Sequence, residues 1–412
     1  MSDEQQAAGG RSSSPLDDDD LLRVPPNPSS LPRASLVCKR WRRLVSDPRF
    51  LRRFRDHHRR PPLLGFFERL DPLVSNSEQG PRGSHIVFHP VLEPPDRVPP
   101  RRFPLSGPAG RRIELLGCRH GRVAFLETSL MAGSTVLVWD PVTGGHARLP
   151  PVPPEFANVV VFNWTVLCAA AGEQGHVHGT CHSSPFKVVA VSTKDRRPTA
   201  CVYSSETGIW GDIVHHDRPC RAVDFIEPGG TTLIAHAIYC KISTWGLEEE
   251  KDDDDMAEPD GLLEFDLDRQ SLTVMEGPPV SRANYCQIIR TVHGGVGVAA
   301  RPFGTLQLQV WHRDVNSHNV ATWLLSKTVD MRSVFGLQEH ERWPRESRRC
   351  DIVGYDEDDG VIFVCVDSTL IMLQRDSMQF TRQRMETYLT TCHPFRSFYF
   401  IRLCCSDTVS KT

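Results

Sequence analysis

The sequence predicts a two-part chain: a short N-terminal α-helical unit followed by a mainly-β domain, β-propeller-like in architecture. Three observations lead there. The text changes near residue 60, from capped, cation-rich helical stretches to Pro-, Gly-, Val- and Phe-rich short apolar runs. A hairpin pattern then recurs: an apolar run ending in an aromatic, a polar turn, and a return strand. No long amphipathic helix stands out between these strands, which disfavours a continuous α/β fold.

Residues 1–20 read as a disordered acidic tail, 21–60 as the helical unit, 61–405 as the β domain and 406–412 as a second tail. In the helical unit, Ser29 or Ser30 can cap the helix written LPRASLVCKRWRRLV, with Pro32 in the first turn, where its missing donor costs little. Leu31, Ala34, Cys38, Trp41 and Val45 share one face, and Val37 and Leu44 extend a second apolar stripe. The helix is expected to stop at Ser46-Asp47-Pro48. Asp47 then caps a second helix that opens on Pro48 and carries Phe50, Leu51 and Phe54. Helices this short cannot bury so much apolar surface unaided and need the following domain, a partner chain, or both.

In the β domain, LLGCRHGRVAFLE (115–127) reads strand, turn, strand, with His120-Gly121 as the break. The copies of the hairpin pattern align on Trp139, Tyr203, Phe265 and Trp311. Residues 361–383 carry a weaker copy. At ~50 residues per blade, a region of roughly 340 residues holds six or seven blades. A pair of β-sandwiches or an irregular barrel is the other architecture this pattern permits.

The charge balance, 48 Lys+Arg against 51 Asp+Glu, excludes a globally basic nucleic-acid binder and leaves only local patches. One such patch is Arg33–Arg60, with 11 Lys/Arg against two Asp. Its bland reading is a helical unit with a cationic outer face, and nucleic acid is not expected as a partner. The run 248–260, nine acids and one lysine, reads as a solvated loop. No apolar run reaches ~18 residues, so no membrane span is expected, and the polar, acidic start shows no secretory signal. The 13 cysteines are odd in number and contain no Cys-x-x-Cys pair. A reducing compartment with mostly buried, apolar thiols is the expectation.

No Gly-x-Ser-x-Gly elbow, His-Glu-x-x-His or P-loop is present, and no catalytic residue or cofactor is expected. The acidic turn GYDEDDG (354–360) holds adjacent carboxylates rather than a facing pair. GGVGVAA (294–300) reads as a tight β-turn. GHVHGTCHSS (175–184) gathers His176, His178, Cys181 and His182, but structural zinc sites usually join two distant short-spaced pairs. The expectation there is an ordinary turn with polar side chains on its surface, and no metal.

The stretch NPSSLPRASLVCKRWRRLVSDPRFLRRFRDHHRRPPLLGFF (27–67) resembles the second and third helices of an F-box, chiefly in Leu-x-x-Ala-Ser-Leu-Val-Cys-Lys-x-Trp followed by a Phe-Leu helix. Downstream segments such as LLGCRHGRVAF, VLVWDPVTG and GEQGHVHGTCHSSPFKVV resemble the β-rich associated domain of a large grass-type plant F-box family. The resemblance implies a non-catalytic substrate-recognition subunit of a cullin–RING (SCF-type) ubiquitin ligase, cytoplasmic or nuclear. The F-box would dock a Skp-type adaptor and through it a cullin, and the β domain would recruit a protein target. Leu21, Leu22, Val24, Pro25, Leu31, Ala34, Leu36, Val37, Trp41 and Leu44 are the residues it implies for partner binding. The chain departs from the family at the start. LDDDDLL (16–22) runs directly into RVPP, so the first F-box helix reads as truncated. A β-domain interaction module that has lost ligase coupling is the alternative, with a nucleic-acid binder acting through the basic helices 33–60 ranked below it.

Overall fold

A computed structural model describes residues 18–70, 85–106, 112–129, 133–157, 162–179, 181–194, 197–217, 225–226, 230–243, 261–280, 285–302, 305–318, 320–335, 350–386 and 388–400. The expected acidic loop at 248–260, the tail at 406–412 and most of the N-terminal tail lie outside these residues.

Four helices come first: α1 (Asp18–Leu22), α2 (Ser30–Ala34), α3 (Lys39–Val45) and α4 (Pro48–His58). The start of α4 follows the sequence signal. Asp47 Oδ1 accepts from the Arg49 N–H at 2.8 Å and Pro48 opens the helix. The single helix expected over 31–45 is instead broken between α2 and α3. Ser35 Oγ donates to Pro32 O at 2.5 Å, and the next amides bond three residues back, Leu36 to Arg33 O and Val37 to Ala34 O. Cys38 then adopts an extended backbone and caps α3, its Sγ accepting from Trp41 N. A serine that competes for a backbone carbonyl, followed by a cap, outweighs the helical spacing of the apolar residues. Ser29 holds the cap position of α2, yet its hydroxyl is spent elsewhere, on Asp96.

From residue 63 the chain forms six antiparallel sheets, the blades of a six-bladed β-propeller. Blade 1 pairs Leu63–Leu70, His85–Pro90 and Leu105–Ser106, and its innermost strand is His393–Arg396 from the far end of the chain. Gly65 pairs Phe395 and Phe67 pairs His393, so the ring is closed by hydrogen bonds between the two ends of the β domain. Blade 2 spans Arg112–Arg119 to His146–Arg148, and blade 3 spans Phe162–Cys168 to Val214–His215. Blades 4, 5 and 6 run from Phe225–Ile226 to Ser271–Glu276, from Tyr285–Arg290 to Ala321–Asp330, and from Cys350–Asp356 to Phe380–Arg384.

Each blade buries both faces against its neighbours, so its middle strands read as apolar runs rather than alternations. Adjacent residues therefore serve different interfaces. Val188 packs toward blade 2 and Val189 toward blade 4; Ile288 packs toward blade 4 and Ile289 toward blade 6. The closing interface is aromatic, with Phe67 and Phe395 rings 5.2 Å apart. The aromatics Trp139, Tyr203, Phe265 and Trp311 all fall on the third strand of blades 2 to 5, so the repeat legible in the sequence is the blade itself. The turn after the aromatic has a mechanism. Asp140 Oδ1 accepts from Val142 N and Thr143 N, and Asp266 Oδ1 does the same for Asp268 N and Arg269 N. The break at His120-Gly121 is a turn with positive φ at both residues, and GGVGVAA forms the turn and start of the second strand of blade 5.

Candidate partner-binding surface

The helical unit is built around Phe50 and Phe54 of α4, which bury against Leu21, Leu31 and Ala34. Those last three residues, expected at a partner interface, form the unit's own core. Leu22, Val24, Trp41 and Leu44 are half-buried at its edge, and Pro25 is exposed. Leu36 and Val37, in the break between α2 and α3, are each 64% exposed. The break thus turns two large apolar side chains out of the helical core and into solvent. Trp41 and Leu44 follow on α3, half-buried against the unit's core, and Lys39, Arg40, Arg42 and Arg43 of the same helix are exposed. Two such apolar side chains side by side, with a half-buried Trp at the margin, have the composition of an interface centre with a cationic rim.

Among the described residues, the unit is fastened to the propeller at two places. Asp96, in the connection between blade 1's strands His85–Pro90 and Leu105–Ser106, accepts from Ser29 N at 2.9 Å, Ser29 Oγ at 2.6 Å and Asn27 Nδ2 at 3.0 Å. Phe400, just past the closing strand, sets its ring edge-on to Phe54 at 6.0 Å. The linker is held as well. Arg396 donates to Pro61 O at 2.7 Å, and Arg60 donates to Asp358 O at 3.3 Å. The apolar patch therefore sits at a set place relative to the propeller.

The propeller axis is filled by charge pairs. Arg119 of blade 2 reaches Glu357 at the end of blade 6's inner hairpin with bonds of 2.5 and 2.9 Å. It also donates to Thr165 Oγ1 of blade 3 and to Thr231 O beside blade 4. Glu357 accepts from Leu233 N at 3.0 Å, and its carbonyl accepts from Arg290 of blade 5. Arg396 of blade 1 pairs with Asp356 and Asp359. The GYDEDDG carboxylates thus gather on arginines, Glu357 on Arg119 and the three aspartates on Arg396, and do not face one another across a cleft. The cavity left among these groups is about 70 Å³. That is far below the ~300 Å³ at which small-ligand pockets begin. Trp210 is a packing residue, its ring against Trp164 and Tyr203 and its indole N–H on Pro150 O.

The expectation of an ordinary surface turn at 175–184 does not hold. Cys181 is 2% exposed, and it meets His176, His178 and a residue from outside the motif, Cys168, at the end of blade 3's inner strand. His182 is not among them; its Nδ1 lies 2.6 Å from Asp140 Oδ2. The sequence pattern missed Cys168 because it ends an apolar strand run, where a cysteine reads as core filler. Of the ten described cysteines, seven are buried and none is in a disulfide, in keeping with the apolar role expected for most of them. No helix among the described residues is long and apolar enough to cross a membrane.

Comparison with solved structures finds distant likenesses. TolB from Acinetobacter baumannii is similar over 81% of this chain and 67% of that one, at 11% identity and a TM-score of 0.40. The Dos1 propeller is similar over 70% and 68%, at 11% identity and 0.32. A puromycin hydrolase is similar over 67% of this chain, at 14% identity and 0.35, and the chain spans 39% of its length. Likenesses this remote bear on neither activity nor partners. No curated protein matches the sequence. Residues 26–53, from just after α1 into α4, match the F-box domain family. The chain is thus a short helical F-box followed by a six-bladed β-propeller.

Proposed function

We propose that this protein is a substrate-recognition subunit of a cullin–RING (SCF-type) ubiquitin ligase, of the kind found in plants. The F-box docks a Skp-type adaptor, and the propeller recruits the protein to be ubiquitinated. The subunit has no chemistry of its own, works in cytoplasm or nucleus, and leaves ubiquitin transfer to its partners. The observation that carries this reading is the F-box match at 26–53 together with Leu36 and Val37 standing exposed on that same element. Leu36 and Val37 are the anchors, Leu22, Val24, Trp41 and Leu44 flank them, and Pro25 closes the edge. Leu21, Leu31 and Ala34 act from beneath, by holding the helices in place.

One observation favours a second reading, an interaction module uncoupled from the ligase. Helix α1 is described over Asp18–Leu22, where LDDDDLL runs directly into RVPP, and the F-box match begins after it. Central anchors of an interface commonly contribute ~2 kcal/mol or more each, so a missing first-helix centre weakens docking. Co-purification of the full chain with a plant Skp-type adaptor separates the two. The ligase reading expects binding by the native chain, reduced by about tenfold or more in Leu36→Asp/Val37→Asp with folding unchanged. Binding only after the first helix is lengthened supports the uncoupled module, and binding by neither form removes the adaptor assignment. A nucleic-acid role for the basic helices is dismissed if no duplex or single strand binds at low salt.

A further inference from the structure

Outside the F-box, one cluster among the described residues combines four metal-ligating side chains. The Cys168 and Cys181 sulfurs, His176 and His178 each offer one donor atom, and all four lie within 4.8 Å of one another. Cys168 Sγ and Cys181 Sγ are each 3.3 Å from the same atom, His176 Nε2, and Cys181 Sγ is 3.7 Å from His178 Nδ1. A tetrahedral zinc with Zn–S of ~2.3 Å and Zn–N of ~2.05 Å requires sulfur–nitrogen edges of ~3.5 Å. The observed edges bracket that value.

Hydrogen bonding alone does not account for the arrangement. A ring nitrogen has one in-plane site, either a proton or a lone pair, so two sulfurs at the same 3.3 Å can share it only in a poorly directed three-centre bond. A cation at the centre serves all four donors. Two thiolates and two imidazoles around a divalent ion also make a neutral unit, which suits cysteines that are 4% and 2% exposed. The surroundings hold the donors in place. His120 stacks on the His178 ring at 3.7 Å, and its Nδ1 accepts from Cys168 N at 3.1 Å. Arg122 donates to the carbonyls of Cys181 and Ser184, fixing the turn that presents Cys181.

We infer that Cys168, His176, His178 and Cys181 form a structural Cys₂His₂ zinc site built into the connection between the first two strands of blade 3. Two sulfurs and two imidazoles in a closed tetrahedron select zinc over harder cations, and a filled first shell marks the site as structural rather than catalytic. The site has a mechanical consequence. Between His178 and Cys181, Gly179 O accepts from Phe398 N at 3.3 Å and from Ser397 Oγ at 3.2 Å. A Cβ at Gly179 would lie 2.8 Å from the Pro61 ring. The metal loop therefore hydrogen-bonds the segment that follows the closing strand and packs closely on Pro61 of the F-box linker. This inference is independent of the ligase reading.

The test uses the full chain, purified from zinc-supplemented medium and dialysed against a weak chelator. The expected result is one zinc per chain, lost in Cys168→Ser/Cys181→Ser and in His176→Gln/His178→Gln but kept in His182→Gln. Cobalt added to stripped protein is expected to give a thiolate charge-transfer band and the intense visible bands of tetrahedral coordination. Alkylation mass spectrometry covers the case in which the cysteine variant misfolds. In the native chain Cys168 and Cys181 are expected to resist alkylation until a strong chelator is added, while Cys38 reacts at once. Zinc far below one per chain, a cobalt spectrum without thiolate bands, a Cys168–Cys181 disulfide, or equal reactivity with and without chelator each overturns the site.

Discussion

Asp96 accepts three hydrogen bonds from the F-box, two of them from the backbone and hydroxyl of Ser29 at the head of α2. It is a propeller residue that occupies the place a capping side chain of the helix itself would have taken. Orientation between the two domains is thus set at the helix terminus, where free N–H groups are available to a carboxylate.

Replacing Asp96 with Ala is expected to loosen the F-box without unfolding the propeller. Three bonds to a part-buried carboxylate are lost, at ~1–3 kcal/mol in total. Hydrogen exchange should show faster exchange over 27–34 while the protection of the blade strands is unchanged. Unaltered exchange over 27–34 would mean that the Phe54–Phe400 contact and the linker bonds hold the unit without Asp96.

The axial ion pair makes a sharper claim about stability. The Arg119 and Glu357 side chains are 9% and 18% exposed, so removing one strands the other. Arg119→Met is expected to destabilise the propeller by ~3 kcal/mol or more, read from urea unfolding. Adding Glu357→Gln to that variant should restore part of the loss, because the stranded charge goes with it. If Arg119→Met unfolds within ~1 kcal/mol of the native chain, the pair is incidental to blade assembly.

What could be read from the sequence was local. Asp47-Pro48 marks the start of α4 because cap and first-turn proline act within a few residues, and the structure honours them. The aromatic on the third strand of blades 2 to 5 was visible because a repeated unit packs the same position from one blade to the next; three of the four, Trp139, Tyr203 and Phe265, are buried. The contacts that build the site were not local. The strand that closes blade 1 comes from residues 393–396, and Asp96 finds Ser29 across 67 residues without any periodic signal. Leu36 and Val37 look like helix-face residues until Ser35 and Cys38 break the helix between them and α3. Cys168 escaped the His-Cys motif for the same reason, since folding brings it there from a strand.

The inner edge of the ring carries a pH dependence whose sign is fixed by burial. His393, on the closing strand, is buried, and desolvation, with the nearby Arg119 charge, lowers its pKa from 6.5 to about 4. The folded protein thus holds it neutral, while the unfolded chain protonates it near its ordinary value. Between those two values the unfolded state binds more protons, so stability rises with pH there and is lost as pH falls from about 6.5 toward about 4. Going from about pH 7 to about pH 5, this residue accounts for ~2 kcal/mol. His393→Gln cannot charge, so its urea midpoint should fall less than that of the native chain over the same interval. Parallel declines in the two proteins would show that His393 protonates without leaving its place between Phe67 and the axis, and that ring closure is indifferent to its charge.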